Sequence, residues 1–311
     1  MMSKFKLLKN FLIGIAVIGL IGVLLCAAYI QQDTSLDRLS DISIRTAPSG
    51  WAEHIKIGVI GDSWVAGNKL DQAIEQTMTT SGFKTEVVSS GHPGAKSRQI
   101  YRDLFLEKDV EYSSNGLFMD NDLDYLVIVA GVNDTAGHIG KTFYAHHIFL
   151  IIQTALSRGI KPIVVEVPEY GIEDTPSVGL LSWGKRTIYL WLFDNGSMDV
   201  VREYRNALRE NIKTSDIADK VMLVDFSPIT DDYHTSKDLY ANPSHLNHGG
   251  YSRLGELIAH SLEEWHNNAM HADGNSAALH SHRWWQALWH KEKWNPSKPK
   301  SYTLKLNKFN P

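Results

Sequence analysis

Ile55-Lys56-Ile57-Gly58-Val59-Ile60-Gly61-Asp62-Ser63-Trp64 is the stretch from which the architecture of this chain can be read. Apolar, largely β-branched residues run up to a glycine, the pattern of a short strand that stops abruptly. After Asn68, residues Leu70, Ala73, Ile74, Thr77 and Met78 recur at the spacing of one helix face. Strand, Gly-Asp-Ser turn and helix together predict a βα unit with the serine in its turn. Such a turn lifts a hydroxyl clear of the sheet, and free N–H groups of the next turn point towards it. The carboxyl ends of strands are where ligands bind in an open α/β sheet. Ser63 is therefore a candidate nucleophile, although Gly-Asp-Ser alone also makes an ordinary turn and cap.

The same alternation continues on the C-terminal side. Residues 84–89 alternate as a second strand, and the SSGHPGAKS segment after it needs a tight loop at Gly91, Pro93 and Gly94. Ser97 opens a helix to about Phe105. Residues 125–130 (YLVIVA) are continuously apolar, as expected of a central parallel strand buried on both faces. That strand runs into Gly131-Val132-Asn133-Asp134. A helix over 142–157, strands over 163–167 and 221–226, and a closing helix over 250–265 complete the pattern. It predicts an α/β fold, a five-stranded parallel sheet wound on both sides. Residues 173–204 stand outside the alternation. Their dense apolar content, Trp183 included, reads as a helix packed on the core or as an apolar wall over the site.

Composition narrows the function. A net charge of −4 over 311 residues gives no support for a nucleic-acid binder. The single cysteine, Cys26, excludes a disulfide framework or a CxxC metal site.

Lys4, Lys6 and Lys9 precede residues 11–30, which carry no charge. At 1.5 Å per residue that run spans roughly 30 Å, the hydrocarbon thickness of a bilayer. It predicts a single transmembrane helix, and the lysines favour an inside N-terminus with the remainder extracytoplasmic. Cleavage near Cys26-Ala27-Ala28 and lipid modification of Cys26 are the competing fates of the segment. The expected layout is an anchor at 1–30, a linker at 31–54, a catalytic domain at 55–265 and a basic tail at 266–311. Trp284, Trp285 and Trp289 at helical spacing suit the tail to packing on the domain or to a membrane surface.

Four motifs fall in register: Gly61-Asp62-Ser63, Gly94, Gly131-x-Asn133-Asp134, and His245 within NPSHLNHGGY. Over 55–265 the chain resembles the SGNH superfamily of GDSL-type esterases and lipases. The resemblance implies a flavodoxin-like three-layer α/β/α sandwich and an ester-cleaving enzyme without cofactor or metal. It also implies Ser63 as nucleophile and His245 as general base. The N–H groups of Ser63 and Gly94 and the amide of Asn133 become the oxyanion hole. This division of labour is physically coherent, because a serine hydroxyl needs an adjacent base and preorganised donors stabilise the developing oxyanion.

One position departs from the family. Where it has an aspartate to orient the histidine, this chain has Asn242, which accepts an N–H but supplies no charge. A nearby carboxylate (Asp238, Asp232 or Asp231) could substitute, Ser63 and His245 could act as a dyad, or the domain could be a degenerate binder. Asp62, Trp64, His92, Glu166 and Trp183 are candidate substrate contacts, and His248 and Glu169 weaker ones. Glu166 with Glu169 would also suit a paired-carboxylate glycosidase, which leaves the other motifs unexplained. The reading is an envelope serine esterase acting on an O-acylated glycan or lipid. An O-acyltransferase and a non-catalytic binding protein are the rivals.

Overall fold

The computed structural model describes residues 2–39, 54–67, 69–120, 122–175, 179–227, 230 and 232–272. The chain divides into two compact units, Met1–Leu262 and Glu263–Pro311. Of the second, only the end of its helix, to Ala272, is among the described residues; the tryptophan-rich tail lies outside them.

The chain opens with α1 (Met2–Thr34) and then enters the alternation: β1 (Ile55–Gly61), α2 (Leu70–Thr80), β2 (Thr85–Gly91), α3 (Ser97–Asp103) and α4 (Asn115–Asp120). It continues through β3 (Tyr125–Val129), α5 (Val132–Ala136), α6 (Lys141–Ser157), β4 (Lys161–Val165), α7 (Leu180–Phe193) and α8 (Val201–Lys213). It closes with β5 (Met222–Val224), a short hairpin of β6 (Tyr240–Asn242) and β7 (His245–Leu246), and α9 (His248–Ala272). The five main strands are parallel in the order β2-β1-β3-β4-β5. This is the flavodoxin-like winding expected from the sequence, whose order reverses between β1 and β3. Chains leave those two neighbouring strands in opposite directions, so the crevice at their carboxyl ends is open to a ligand.

Burial explains why the strands form where they do. Every residue of β3 is buried, as are all but Lys56 of β1. A strand covered on both faces can be apolar throughout. The edge strand β2 is only half-buried and retains the mixed sequence TEVVSSG. At the end of β1, a Cβ on Gly61 would stand 2.1 Å from the carbonyl oxygen of Val129. Only glycine lets the Gly-Asp-Ser turn close against β3.

Two expectations are corrected. Residues 173–204 are not one core-packed helix: α7 buries only Tyr189, and α8 is a separate amphipathic helix. The segment after Gln31 does not begin as a free tether either. Helix α1 continues to Thr34, and Asp37 accepts from both Nε and Nη2 of Arg98, at 2.9 and 2.8 Å. The stretch 40–53 lies outside the described residues.

Candidate active site

The site forms where the loops after β1, β2 and β3 meet the β6–β7 hairpin. The β1 loop is a tight turn held by Asp62. Its backbone carbonyl accepts from Val65 and Ala66, and its Oδ1 accepts the Trp64 N–H at 3.0 Å. This leaves Ser63 at the apex, partly exposed. Across 182 residues of sequence, His245 Nε2 lies 2.9 Å from Ser63 Oγ.

The protonation of that histidine follows from its other side. Asn242 Oδ1 accepts the backbone N–H of Ser244 at 3.0 Å, and a backbone N–H can only donate. The amide oxygen, not its nitrogen, therefore faces the hairpin, and the same oxygen lies 3.0 Å from His245 Nδ1. Nδ1 must carry the proton to make that bond, which leaves the Nε2 lone pair directed at the Ser63 hydroxyl. Partial burial holds the His245 pKa below its ordinary value, so the ring is neutral and ready to accept a proton near pH 7.

The β2 loop brings Gly94 to the site with φ +79°, a conformation that glycine adopts without strain. Among the described residues, the N–H groups of Ser63 and Gly94 reach no acceptor. Asn133 follows β3 and donates its side-chain amide to Asp62 Oδ2 at 3.2 Å and to the Ala95 carbonyl at 3.1 Å. Both bonds are at the long end for N–H···O contacts. They join all three loops, and a third partner for the amide has to displace one of these.

Two buried carboxylates tie the frame together. Burial, with the nearby Asp134 charge adding to it, pushes Asp62 up to about 7. Asp134 accepts both the N–H (2.9 Å) and the hydroxyl (2.6 Å) of Ser97, pinning α3 behind the Gly94 loop. Burial outweighs those bonds and raises it to about 6. The motif Gly131-x-Asn133-Asp134 names Asp134, but nothing local to it shows the link to α3.

Several sequence candidates have other partners. Asp62 is buried and spends its carboxylate on Trp64 and Asn133, not on a ligand. Trp64 is buried too; its indole N–H donates to the Ser244 carbonyl at 2.8 Å and braces the serine turn against the histidine hairpin. His92 bonds Asp103 at 2.7 Å and stacks on Tyr112. Glu166 is buried under the Arg209 guanidinium, and Glu169 pairs with Arg205 at 2.5 Å. That removes the glycosidase reading, which needs two available carboxyl groups. Trp183 is exposed on α7. Asp238 and Asp232 are exposed and make no bond to His245, because the hairpin places Asn242 on Nδ1 instead. Asp231 lies outside the described residues.

Fold and site together define a class: a parallel α/β sandwich presenting a serine–histidine pair at the carboxyl ends of its central strands. Solved structures of GDSL-type lipases and acylhydrolases are among those similar to the chain. A GDSL-like lipase from Bacteroides thetaiotaomicron is 19% identical, covering 67% of this chain and 88% of its own, with a TM-score of 0.47. A lipase/acylhydrolase from Enterococcus faecalis is 18% identical, covering 68% and 96%, at 0.47. A family 3 carbohydrate esterase from Clostridium thermocellum is 17% identical, covering 68% and 94%, at 0.44. No protein-family model matches the chain. No curated relative matches it either.

Proposed function

We propose that this chain is a membrane-anchored serine esterase of SGNH type that cleaves O-acyl esters through an acyl-serine intermediate. The observation that carries the reading is the 2.9 Å contact between Ser63 Oγ and a His245 Nε2 left unprotonated by its Asn242 bond. Ser63 Oγ attacks the acyl carbon while His245 Nε2 takes its proton. The carbonyl oxygen becomes an oxyanion facing the N–H groups of Ser63 and Gly94. Asn133 joins them by exchanging the Ala95 carbonyl for the oxyanion, since a charged acceptor bonds an N–H about twice as strongly as a neutral one. His245 then protonates the leaving alkoxide. Water, deprotonated by the same Nε2, releases the acyl group and restores the serine.

The apolar length of α1 supports a substrate at a membrane: Leu8–Thr34 is long and apolar enough to cross one. With the N-terminal lysines inside, the enzyme faces the cell envelope. There its substrate is an O-acylated glycan or lipid carrying a short acyl group such as acetyl.

A fluorophosphonate probe tests the chemistry. It should label the full chain at Ser63, and neither Ser63→Ala nor His245→Ala protein should react. An unlabelled wild-type chain would overturn the enzyme reading in favour of a binding protein built on the same frame, which the uncharged Asn242 would suit.

A further inference from the structure

Helix α7 has two unlike halves. One half meets the protein: Tyr189 is buried with Ile139 and Phe143, and Phe193 and Ile30 pack against that cluster. The other half carries Leu180, Leu181, Trp183, Ile188, Trp191 and Leu192, all exposed, Leu181 by 90%. A helix with one face on a core and the other in water should carry charge on its outer face. This one carries two tryptophans and four aliphatic residues there instead.

What lies beside it identifies the occupant. Ile30 belongs to α1, and α1 supplies further contacts to the inner half. Lys185 Nζ is 2.7 Å from Asp33 Oδ2 and lies over the Tyr29 ring; the Tyr189 hydroxyl donates to Asp33 at 2.9 Å. Arg98 adds a bond to the Gln32 carbonyl at 2.7 Å. At 1.5 Å per residue the 27 residues Leu8–Thr34 run about 40 Å, against a hydrocarbon core of about 30 Å. The last turns of α1 therefore emerge at the headgroup layer, where tyrosines and tryptophans concentrate. Helix α7 is clamped to those turns.

We propose that the outward half of α7 is immersed in the interfacial layer of the bilayer that α1 crosses, so that the catalytic domain is seated on the lipid instead of swinging from a tether. The proposal rests on the reading of α1 as a membrane span. An apolar face carrying tryptophans is the composition of an interfacial helix. Clamping its inner half to the emerging span holds the helix at that depth.

The test uses the full chain in phosphatidylcholine–phosphatidylglycerol vesicles, with Cys26→Ser and one new cysteine carrying an environment-sensitive fluorophore. The cysteine replaces Leu181, Ile188 or Leu192 on α7, Glu75 on α2 as the aqueous control, or Ile18 as the span control. Labels at the three α7 sites should show blue-shifted emission, lose most of it to doxyl-labelled lipid and be protected from iodide. The Glu75 label should behave in the opposite way. Iodide quenching at the α7 sites equal to that at Glu75, with Ile18 still in lipid, would overturn the proposal while leaving the anchor standing. Protection from both quenchers would overturn it in favour of cover by the chain's own residues. An Ile18 label quenched by iodide would overturn the anchor and the proposal together.

Discussion

His245 Nδ1 donates to an amide oxygen, Asn242 Oδ1, at 3.0 Å. The bond sets the ring's tautomer as a carboxylate would, but contributes no negative charge. Orientation and electrostatic support of the imidazolium, usually combined in one aspartate, are therefore separated in this site.

This separation sets the first expectation. Asn242→Asp preserves every acceptor role, since a carboxylate oxygen also receives the Ser244 N–H. It adds the charge that stabilises imidazolium in the transition state. In the serine-protease triad, losing that charge together with the correct tautomer costs about 10⁴ in rate. Here the tautomer is already correct, so kcat on a short-chain ester should rise by about 10- to 100-fold. The pH profile should move with it. In the wild type, kcat/KM falls on acidification as Nε2 is protonated, with its midpoint below 6.5, because burial lowers His245. The added carboxylate raises that pKa, so the midpoint shifts to higher pH. Unchanged kcat and midpoint would show that another group already supplies the charge.

Asn133→Ala should lower kcat by about 10²–10³, the usual cost of one oxyanion donor, while circular dichroism remains that of the wild type. KM should change little, because the amide reaches the substrate oxygen only after giving up the Ala95 carbonyl. Retained turnover would show that Asn133 serves only to join the three loops.

The buried carboxylates predict an unusual pH dependence of stability. Asp134 is raised from 3.8 to about 6 in the folded chain, so between those values the native state holds a proton that the unfolded state has released. Stability from this group therefore falls as pH rises from about 4 to 6 and is flat above. Asn at this position can still bond the Ser97 N–H and hydroxyl. Asp134→Asn should remove the slope, a relative gain on the order of 2–3 kcal/mol at pH 7. Denaturant unfolding of the two proteins at pH 4, 5, 6 and 7 measures it.

The full chain should stay with the membrane fraction through a carbonate wash, and a chain beginning at Gln31 should be released. A mature N-terminus at Tyr29 would replace the anchor with a cleaved signal.

The strands were legible because burial on both faces writes itself into consecutive residues. Tyr125 to Val129 could be nothing but a central strand, and β1 ends at Gly61 because no side chain fits against Val129 there. Helix α8 escaped notice. Its amphipathic run begins soon after the apolar residues of α7, and without the chain reversal between them the two merge into one segment. The β6–β7 hairpin escaped because three residues and two are too few for a period to show.

The chemistry of the site was legible as an inventory and not as a set of pairs. Ser63, Asn133 and His245 stood out from local motifs, since a turn after a strand or a short loop before a helix depends on a few neighbouring residues. Their partners depend on contacts between residues far apart in the chain. Glu166 and Glu169 looked available until the packing of α8 placed Arg209 and Arg205 on them. Trp64 looked like a substrate contact until its indole N–H was found on Ser244, 180 residues away. Asp238 looked able to serve His245, but the two-strand hairpin turns Asn242 towards the ring and leaves Asp238 in water. Local period and turn chemistry suffice to order the elements. The partner of a polar side chain is chosen by whichever donor or acceptor the fold buries beside it, and no stretch of sequence contains that choice.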